Sequence, residues 1–189
     1  MKWDLSDKAL HSDFRHAVEE RSGQNLSTCY QCGKCSSGCP VLPDLDLSPN
    51  RVLRLVQLGL DDEALRNETV WCCAACGTCN SRCPMGVDIV RIIDTLRGMA
   101  IQQGIERPAT AERVWTFYEA FLDSVRQFGR LSEVALMGGY NINSGRLWTN
   151  MVKAPWFFLK GKVSLTAHKI RRIDRLQRVF RRVQEIEGQ

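Results

Sequence analysis

The sequence predicts an all-α protein, and three observations support this prediction. Apolar residues recur with the period of a helix in several segments. Runs that alternate apolar and polar residues, as strands do, are scarce. The helical segments are also separated by residues that start or end helices, such as Ser48-Pro49 and Gly59. We therefore expect helices joined by loops, without a sheet.

The predicted helices follow in order along the chain. The first begins at Ser48-Pro49 and ends at Gly59, and a shorter one over 62–66 leads into Trp71. Periodic apolar residues then mark a helix from Ile89 that ends near Gly104. A further helix starts at Pro108 or Thr110 and ends at Gly129, and its aromatic stripe is typical of a packed face.

The last part of the chain is basic. From Lys153 onward it has ten Lys or Arg against three Asp or Glu, so it carries +7 while the preceding residues carry −2. Residues 138–145 (GGYNINSG) predict a turn-rich break, and an amphipathic basic helix is expected from about Thr166. Such a helix can be a solvated face, a membrane-surface helix or a docking helix, and we favour docking to a partner over nucleic acid or membrane contact.

The chain has nine cysteines, none of them after Cys83. Its first residues contain no apolar core of the kind that a secretion signal needs, and no run approaches the roughly 18 to 20 apolar residues of a membrane span. A cytoplasmic protein without a membrane span is therefore expected. Thiols remain reduced in that compartment, so closely spaced cysteines indicate metal ligands rather than disulfides.

Eight of the cysteines form a repeated motif. The spacing C-x2-C-x2-C-x3-C-P occurs at Cys29, Cys32, Cys35 and Cys39, and again at Cys73, Cys76, Cys79 and Cys83. Gly33 and Gly77 occupy the same place in each copy. In two-cluster ferredoxins the fourth cysteine of this run ligates the other cluster. The spacing therefore predicts two 4Fe–4S clusters, one held by Cys29, Cys32, Cys35 and Cys83, the other by Cys73, Cys76, Cys79 and Cys39.

Two alternatives concern these cysteines. A pair of zinc sites would also use four thiolates each, but such sites usually show two C-x2-C pairs with a longer spacer. Cys72 lies outside the repeat, and it is either a small buried apolar residue beside Trp71 or a substitute ligand or redox-active thiol. The chain shows no set of nucleophile, base and oxyanion donors, so no active site of its own is expected.

The cysteine runs and their flanks resemble the C-type iron–sulfur component of heterodisulfide reductase. The similar segments are residues 23–35 (GQNLSTCYQCGKC), 71–79 (WCCAACGTC), 129–133 (GRLSE), 159–162 (LKGK) and 168–170 (HKI). The resemblance implies an α-helical ferredoxin fold with two 4Fe–4S clusters. It also implies a hetero-oligomer with an A-like flavin subunit and a B-like catalytic subunit that reduces a disulfide.

Together these observations predict an electron-transfer subunit that relays electrons from the A-like to the B-like subunit. The alternatives are the iron–sulfur subunit of another dehydrogenase or reductase complex, and a free ferredoxin. The expected organisation is an N-terminal helical segment (1–28), a two-cluster ferredoxin-like domain (29–104), a helical region that packs on it or on a partner (105–140), and a basic helical tail for docking (141–189). The tail is the expected C-terminal helical extension of the fold.

Overall fold

A computed structural model describes residues 12–145 and 169–187. These residues contain no strand, which confirms the all-α prediction. Short 3₁₀ turns cover Leu26–Thr28 and Leu42–Asp44. The α-helices within the described part of the chain are α1 (Ser12–Ser22), α2 (Lys34–Ser37), α3 (Pro49–Leu58), α4 (Asp61–Arg66), α5 (Glu68–Cys72), α6 (Thr78–Arg82), α7 (Ile89–Gln102), α8 (Ala109–Phe128), α9 (Glu133–Asn143) and α10 (Ile173–Glu187).

The chain divides into two compact units, Met1–Ala111 and Glu112–Gln189. In the first unit, α1 and α4 each pack against both α3 and α7, and α5 packs against α7. The apolar faces of these helices form a core whose fully enclosed members are Val18, Val52, Leu55, Val56, Leu60, Ile92 and Leu96. Because α3 and α7 each follow a cysteine run in the sequence, this core fixes the helices that flank both runs.

The predicted helix boundaries in this unit are confirmed. Helix α3 has Pro49 in its first turn and ends at Gly59, which has the left-handed φ of 72° that favours glycine. The Ser48 hydroxyl does not cap this helix, since it donates to the Asn50 side chain at 2.8 Å instead. Helix α7 is capped by Asp88, whose carboxylate accepts from the Arg91 backbone N–H.

The second unit contains most of α8 together with α9 and α10. Ser132 caps α9, and its own backbone N–H donates to the Ser124 hydroxyl at 2.9 Å. Phe117 of α8 stacks edge-on against Tyr140 of α9, with ring centroids 6.3 Å apart. Helix α8 therefore ends at Phe128, followed by Gly129 at φ 77°, as the sequence predicted.

The turn-rich break predicted over residues 138–145 is wrong for most of that segment. Helix α9 continues to Asn143, and Gly145, with φ 66°, is the first glycine there in a left-handed conformation. A side chain at Gly139 would lie 3.7 Å from the Ala120 Cβ, so this glycine lies where α9 approaches α8. Packing against α8 therefore outweighs the low helix propensity of the glycine pair.

The final basic helix starts later than predicted. Residues 169–172 are not helical and α10 begins at Ile173, while Thr166 and His168 lie outside the described residues. On α10, Val179, Val183 and Ile186 are exposed. Among the helices of residues 12–145 and 169–187, none is both long and apolar enough to cross a bilayer.

Candidate iron–sulfur site

The two cysteine runs adopt the same backbone conformation. We call residues 29–35 the first loop and residues 73–79 the second loop. Gln31 and Ala75 occupy equivalent positions and both have positive φ, at 62° and 50°. Gly33 and Gly77 follow with φ of 76° and 74°, and each precedes a short helix, α2 or α6. Successive left-handed and right-handed residues make a concave row of backbone N–H groups, which suits the sulfur atoms of an iron–sulfur cluster.

The short helices bring the two runs together. Helix α2 packs against α6, and they also pack against α3 and α7 respectively. The Arg82 side chain of α6 lies directly over Gly38, where an added Cβ would meet its Cδ at 2.6 Å. Gly38 and Arg82 each precede the fourth cysteine of their own run. The repeat in the sequence therefore folds into two similar halves that meet at the residues before Cys39 and Cys83.

The structure places Cys39 with the second loop. A cavity of about 390 Å³, partly open to solvent, is lined by Cys39, Cys73, Cys76 and Cys79. Apolar side chains make up much of the remaining wall, among them Pro40, Val41, Leu45, Pro49, Val90 and Ile93. These four thiols are the set that the sequence assigned to one cluster, although Cys39 is 34 residues before Cys73 in the chain.

Cys83 lies near the first loop. The pKa of Tyr30 is raised, first by its hydrogen bond with Cys32 and further by burial and the nearby charges of Cys32 and Cys83. The Val87 backbone N–H donates to Cys83 Sγ at 3.3 Å, and the Gln31 amide donates to Cys29 Sγ at 3.6 Å. The ligand assignment to Cys29, Cys32, Cys35 and Cys83 stays a prediction that this neighbourhood supports.

Burial disfavours the charged form of several of these thiols. It is the largest cause that raises the pKa of Cys35 and Cys73, and it raises the pKa of Cys79 to about 11. The pKa of Cys76 is lowered instead, mainly because of a hydrogen bond with the Thr78 side chain. Metal ligation requires thiolates, so cationic iron would supply the charge compensation that these buried sulfurs need.

The residues present therefore fit a 4Fe–4S cluster. Thiolates are the ligands that such clusters use, and the cavity at the second loop combines four of them with apolar walls. Within the described part of the chain, no three His, Cys, Asp or Glu side chains are grouped as a site for a single metal ion. The ninth cysteine, Cys72, is half-buried at the end of α5, and burial is the main cause that raises its pKa.

Two side chains that the sequence analysis did not single out anchor the loops. The Gln57 amide of α3 donates to the carbonyl oxygens of Leu26 and Cys29, at 2.8 and 2.9 Å. Arg97 of α7 donates through Nε to the Val70 carbonyl at 2.9 Å and through Nη2 to the Cys73 carbonyl at 3.2 Å. Each loop is therefore held at its first cysteine and at the residue three before it, by one side chain from the following long helix.

We expect Gly77→Ala to destabilise the protein by about 1–2 kcal/mol, the cost of a left-handed conformation for an L-residue with a side chain. No atom lies within 4 Å of the added Cβ, so this cost comes from the backbone alone. The measurement is the apparent unfolding midpoint of the anaerobically purified protein.

Gly98→Ala is the matched control. Gly98 lies inside α7 without a positive φ, and an added Cβ there also meets nothing within 4 Å. Alanine should therefore stabilise the protein by about 0.5–1 kcal/mol. Equal shifts of the same sign for both variants would contradict the backbone geometry described for the second loop.

Comparison with known proteins agrees with this site. The 4Fe-4S dicluster domain family matches residues 25–87, which include both loops and both fourth cysteines. The chain is therefore an iron–sulfur protein with a dicluster domain.

Several similar proteins are iron–sulfur components of heterodisulfide reductases, each the C-type component of its enzyme. That of the CoB--CoM heterodisulfide reductase of Methanopyrus kandleri is 37% identical over 86 residues, which are 46% of this chain and 45% of that protein. That of the H(2):CoB-CoM heterodisulfide,ferredoxin reductase of Methanothermobacter marburgensis is 31% identical over 100 residues, 53% of this chain and 54% of that protein. A third, from the CoB--CoM heterodisulfide reductase of Methanocaldococcus jannaschii, is 44% identical over 81 residues, 43% of each chain.

These similarities show the family. The chain belongs to a family of proteins similar to the C-type iron–sulfur component of heterodisulfide reductase. The matched region spans about half the length of the curated relatives.

Proposed function

We propose that this chain is the electron-transfer subunit of a heterodisulfide reductase-type complex and binds two 4Fe–4S clusters. In this proposal one cluster is held by Cys29, Cys32, Cys35 and Cys83, and the other by Cys73, Cys76, Cys79 and Cys39. When bound, such clusters supply one-electron transfer. The subunit itself has no catalytic site, since bond breaking takes place in a partner.

The observation that carries the proposal is the position of Cys39 in the cavity of the second loop. An exchanged fourth ligand joins the two cluster-binding halves, as in two-cluster ferredoxins. Contacts between α2 and α6 keep these halves close together. Such closeness is what a relay between two clusters requires.

The chain's own residues hold and shield the proposed clusters. The cysteines supply the ligands, and Gln57 and Arg97 fix the first cysteine of each loop through its backbone carbonyl. Apolar residues such as Val90 and Ile93 exclude water from part of the second cavity. Tyr30, Cys32 and Cys76 are exposed, so both loops have an edge that a redox partner could approach.

The proposed partners are an A-like subunit with flavin and iron–sulfur clusters, which donates electrons, and a B-like subunit, which reduces a disulfide. Helix α10 is our candidate docking element. Its exposed residues Val179, Val183 and Ile186 leave an apolar stripe uncovered beside a row of arginines, which is typical of a helix that binds a partner. The cytoplasm, where these subunits would meet, is part of the proposal.

Anaerobic co-purification tests this function. We expect the affinity-tagged full-length chain, expressed in its native host, to purify as a brown complex with a flavin-containing subunit and a disulfide-reducing subunit. The tag expressed alone serves as the control for binding to the resin. Iron, sulfide and flavin analysis of the eluate gives the cofactors, and mass spectrometry gives the partners.

Other outcomes would point to the alternatives. Recovery with the subunits of a different dehydrogenase would replace the heterodisulfide reductase role while keeping the electron-transfer role. Recovery of the chain alone, with iron and sulfide, would favour a free ferredoxin. A colourless protein that contains zinc would contradict the proposal.

A further inference from the structure

The two loops are anchored in the same way but by side chains of different charge. The carbonyls of Leu26 and Cys29 accept from the neutral amide of Gln57. The equivalent carbonyls of Val70 and Cys73 accept from the guanidinium of Arg97, which is positively charged at any pH of interest. A fixed cation therefore lies beside the second loop at the place where the first loop has a neutral group.

The charge of Arg97 is both held in place and sheltered. Three of its nitrogens are engaged, since Nη1 also pairs with the Asp94 carboxylate at 3.0 Å. The Arg97 side chain is 20% exposed and that of Asp94 is 52% exposed, so solvent screens the anion more than the cation. A positive charge near a cluster favours the reduced form, because reduction adds a negative charge.

Other groups near the loops do not reproduce this effect. Lys34 is exposed, so solvent screens its charge. Arg82 is also exposed and lies over Gly38, between the residues that precede the two fourth cysteines, so it favours neither cluster.

Neutral donors act on both sets of sulfurs. Gln31 and Val87 donate to Cys29 and Cys83, whereas the Thr78 hydroxyl lies 3.4 Å from Cys76 Sγ. The Gln31 contact is long and its amide also donates to Gln57 at 3.2 Å, so this donor is shared. The interaction of a charge also falls off more slowly with distance than that of a neutral dipole.

We propose that Arg97 raises the reduction potential of the cluster bound at the second loop above that of the cluster bound at the first loop. The inference rests on the proposed binding of two clusters and deepens the relay by giving it a direction. A partner of the reduced flavin or iron–sulfur class would deliver one electron to the first-loop cluster. That electron then passes to the second-loop cluster, so the first is reoxidised and the second reduced, with no bond formed or broken.

Arg97→Gln tests the proposal, with potentiometry followed by electron paramagnetic resonance on the purified, cluster-loaded chain. Glutamine removes the charge and keeps an amide donor of the kind that Gln57 supplies at the first loop. We expect the ratio of reduced to oxidised second-loop cluster at a fixed potential to fall about tenfold, a shift of about 59 mV for a one-electron couple. The first-loop cluster should change little. Cys76→Ser assigns the signals by altering the second-loop cluster alone.

Two further variants separate charge from anchoring. Arg97→Lys keeps the charge and loses the bidentate grip, so it should retain most of the wild-type potential even if iron content falls. Asp94→Asn removes the exposed counter-charge without touching the carbonyls, so it should shift the second-loop potential upward. It also gives a measurable potential if Arg97→Gln binds iron poorly.

Three results would overturn the inference. They are a wild-type second-loop cluster with the lower potential, equal downward shifts in Arg97→Gln and Arg97→Lys, and an Asp94→Asn potential that stays the same or falls. These measurements use the chain without any partner. Failure of the heterodisulfide reductase role would therefore leave them interpretable, and their failure would leave that role standing.

Discussion

Cys39→Ser is expected to remove the cluster bound by Cys73, Cys76 and Cys79 and to leave the cluster next to it in the sequence. The structure places Cys39 in the cavity of the second loop, so its loss takes one ligand of four from that set. A protein with two 4Fe–4S clusters should then fall from about eight to about four iron atoms per chain. Iron and acid-labile sulfide analysis of anaerobically purified protein measures this loss, and electron paramagnetic resonance identifies the cluster that remains.

Cys72→Ser is the matched control, because Cys72 adjoins the second loop but does not line its cavity. It should retain all of the iron, and a loss there would assign Cys72 a ligand role. If Cys39→Ser instead removes the signal that Cys32→Ser also removes, the exchange of fourth ligands is wrong. In that case each run would bind its own cluster, and the cavity around Cys39 would need another explanation.

The spacing of the cysteines is enough to predict the candidate ligands, since three thiols two residues apart can only belong to one compact loop. The sequence could not reveal Gln57 and Arg97, which act on the loops from α3 and α7. Neither side chain lies at a fixed distance from a motif, and an isolated Gln or Arg on a helix is usually a solvated residue. Their role follows from which carbonyls the packing of the helices places beside them.

The helices that the sequence predicted best have strong local signals. Pro49 and Gly59 bound α3, and the apolar period of α7 is continuous. Helix α9 was missed because Gly138 and Gly139 are poor helix formers, and only contact with α8 explains why a helix continues through them. Tertiary packing is not visible in a local pattern, so errors of this kind are expected wherever glycine lies at a helix contact.

Ile92→Ala is expected to destabilise the protein by about 2–5 kcal/mol, because it removes methyl groups from a filled core. Ile92 is completely buried on α7, the helix that also carries Arg97 and the cavity residue Ile93. The same change should lower the iron content at partially denaturing temperature, since α7 anchors the second loop. Calorimetry under anaerobic conditions measures the stability of the loaded protein.

Ile101→Ala on the same helix provides the comparison. Its side chain is 51% exposed, so truncation leaves no internal cavity and should change stability by no more than about 0.5 kcal/mol. The two variants lose the same atoms from the same helix and differ only in burial. Similar losses for both would mean that the face of α7 carrying Ile92 does not form the core. The position of Arg97 beside Cys73, which depends on that packing, would then lose its structural basis.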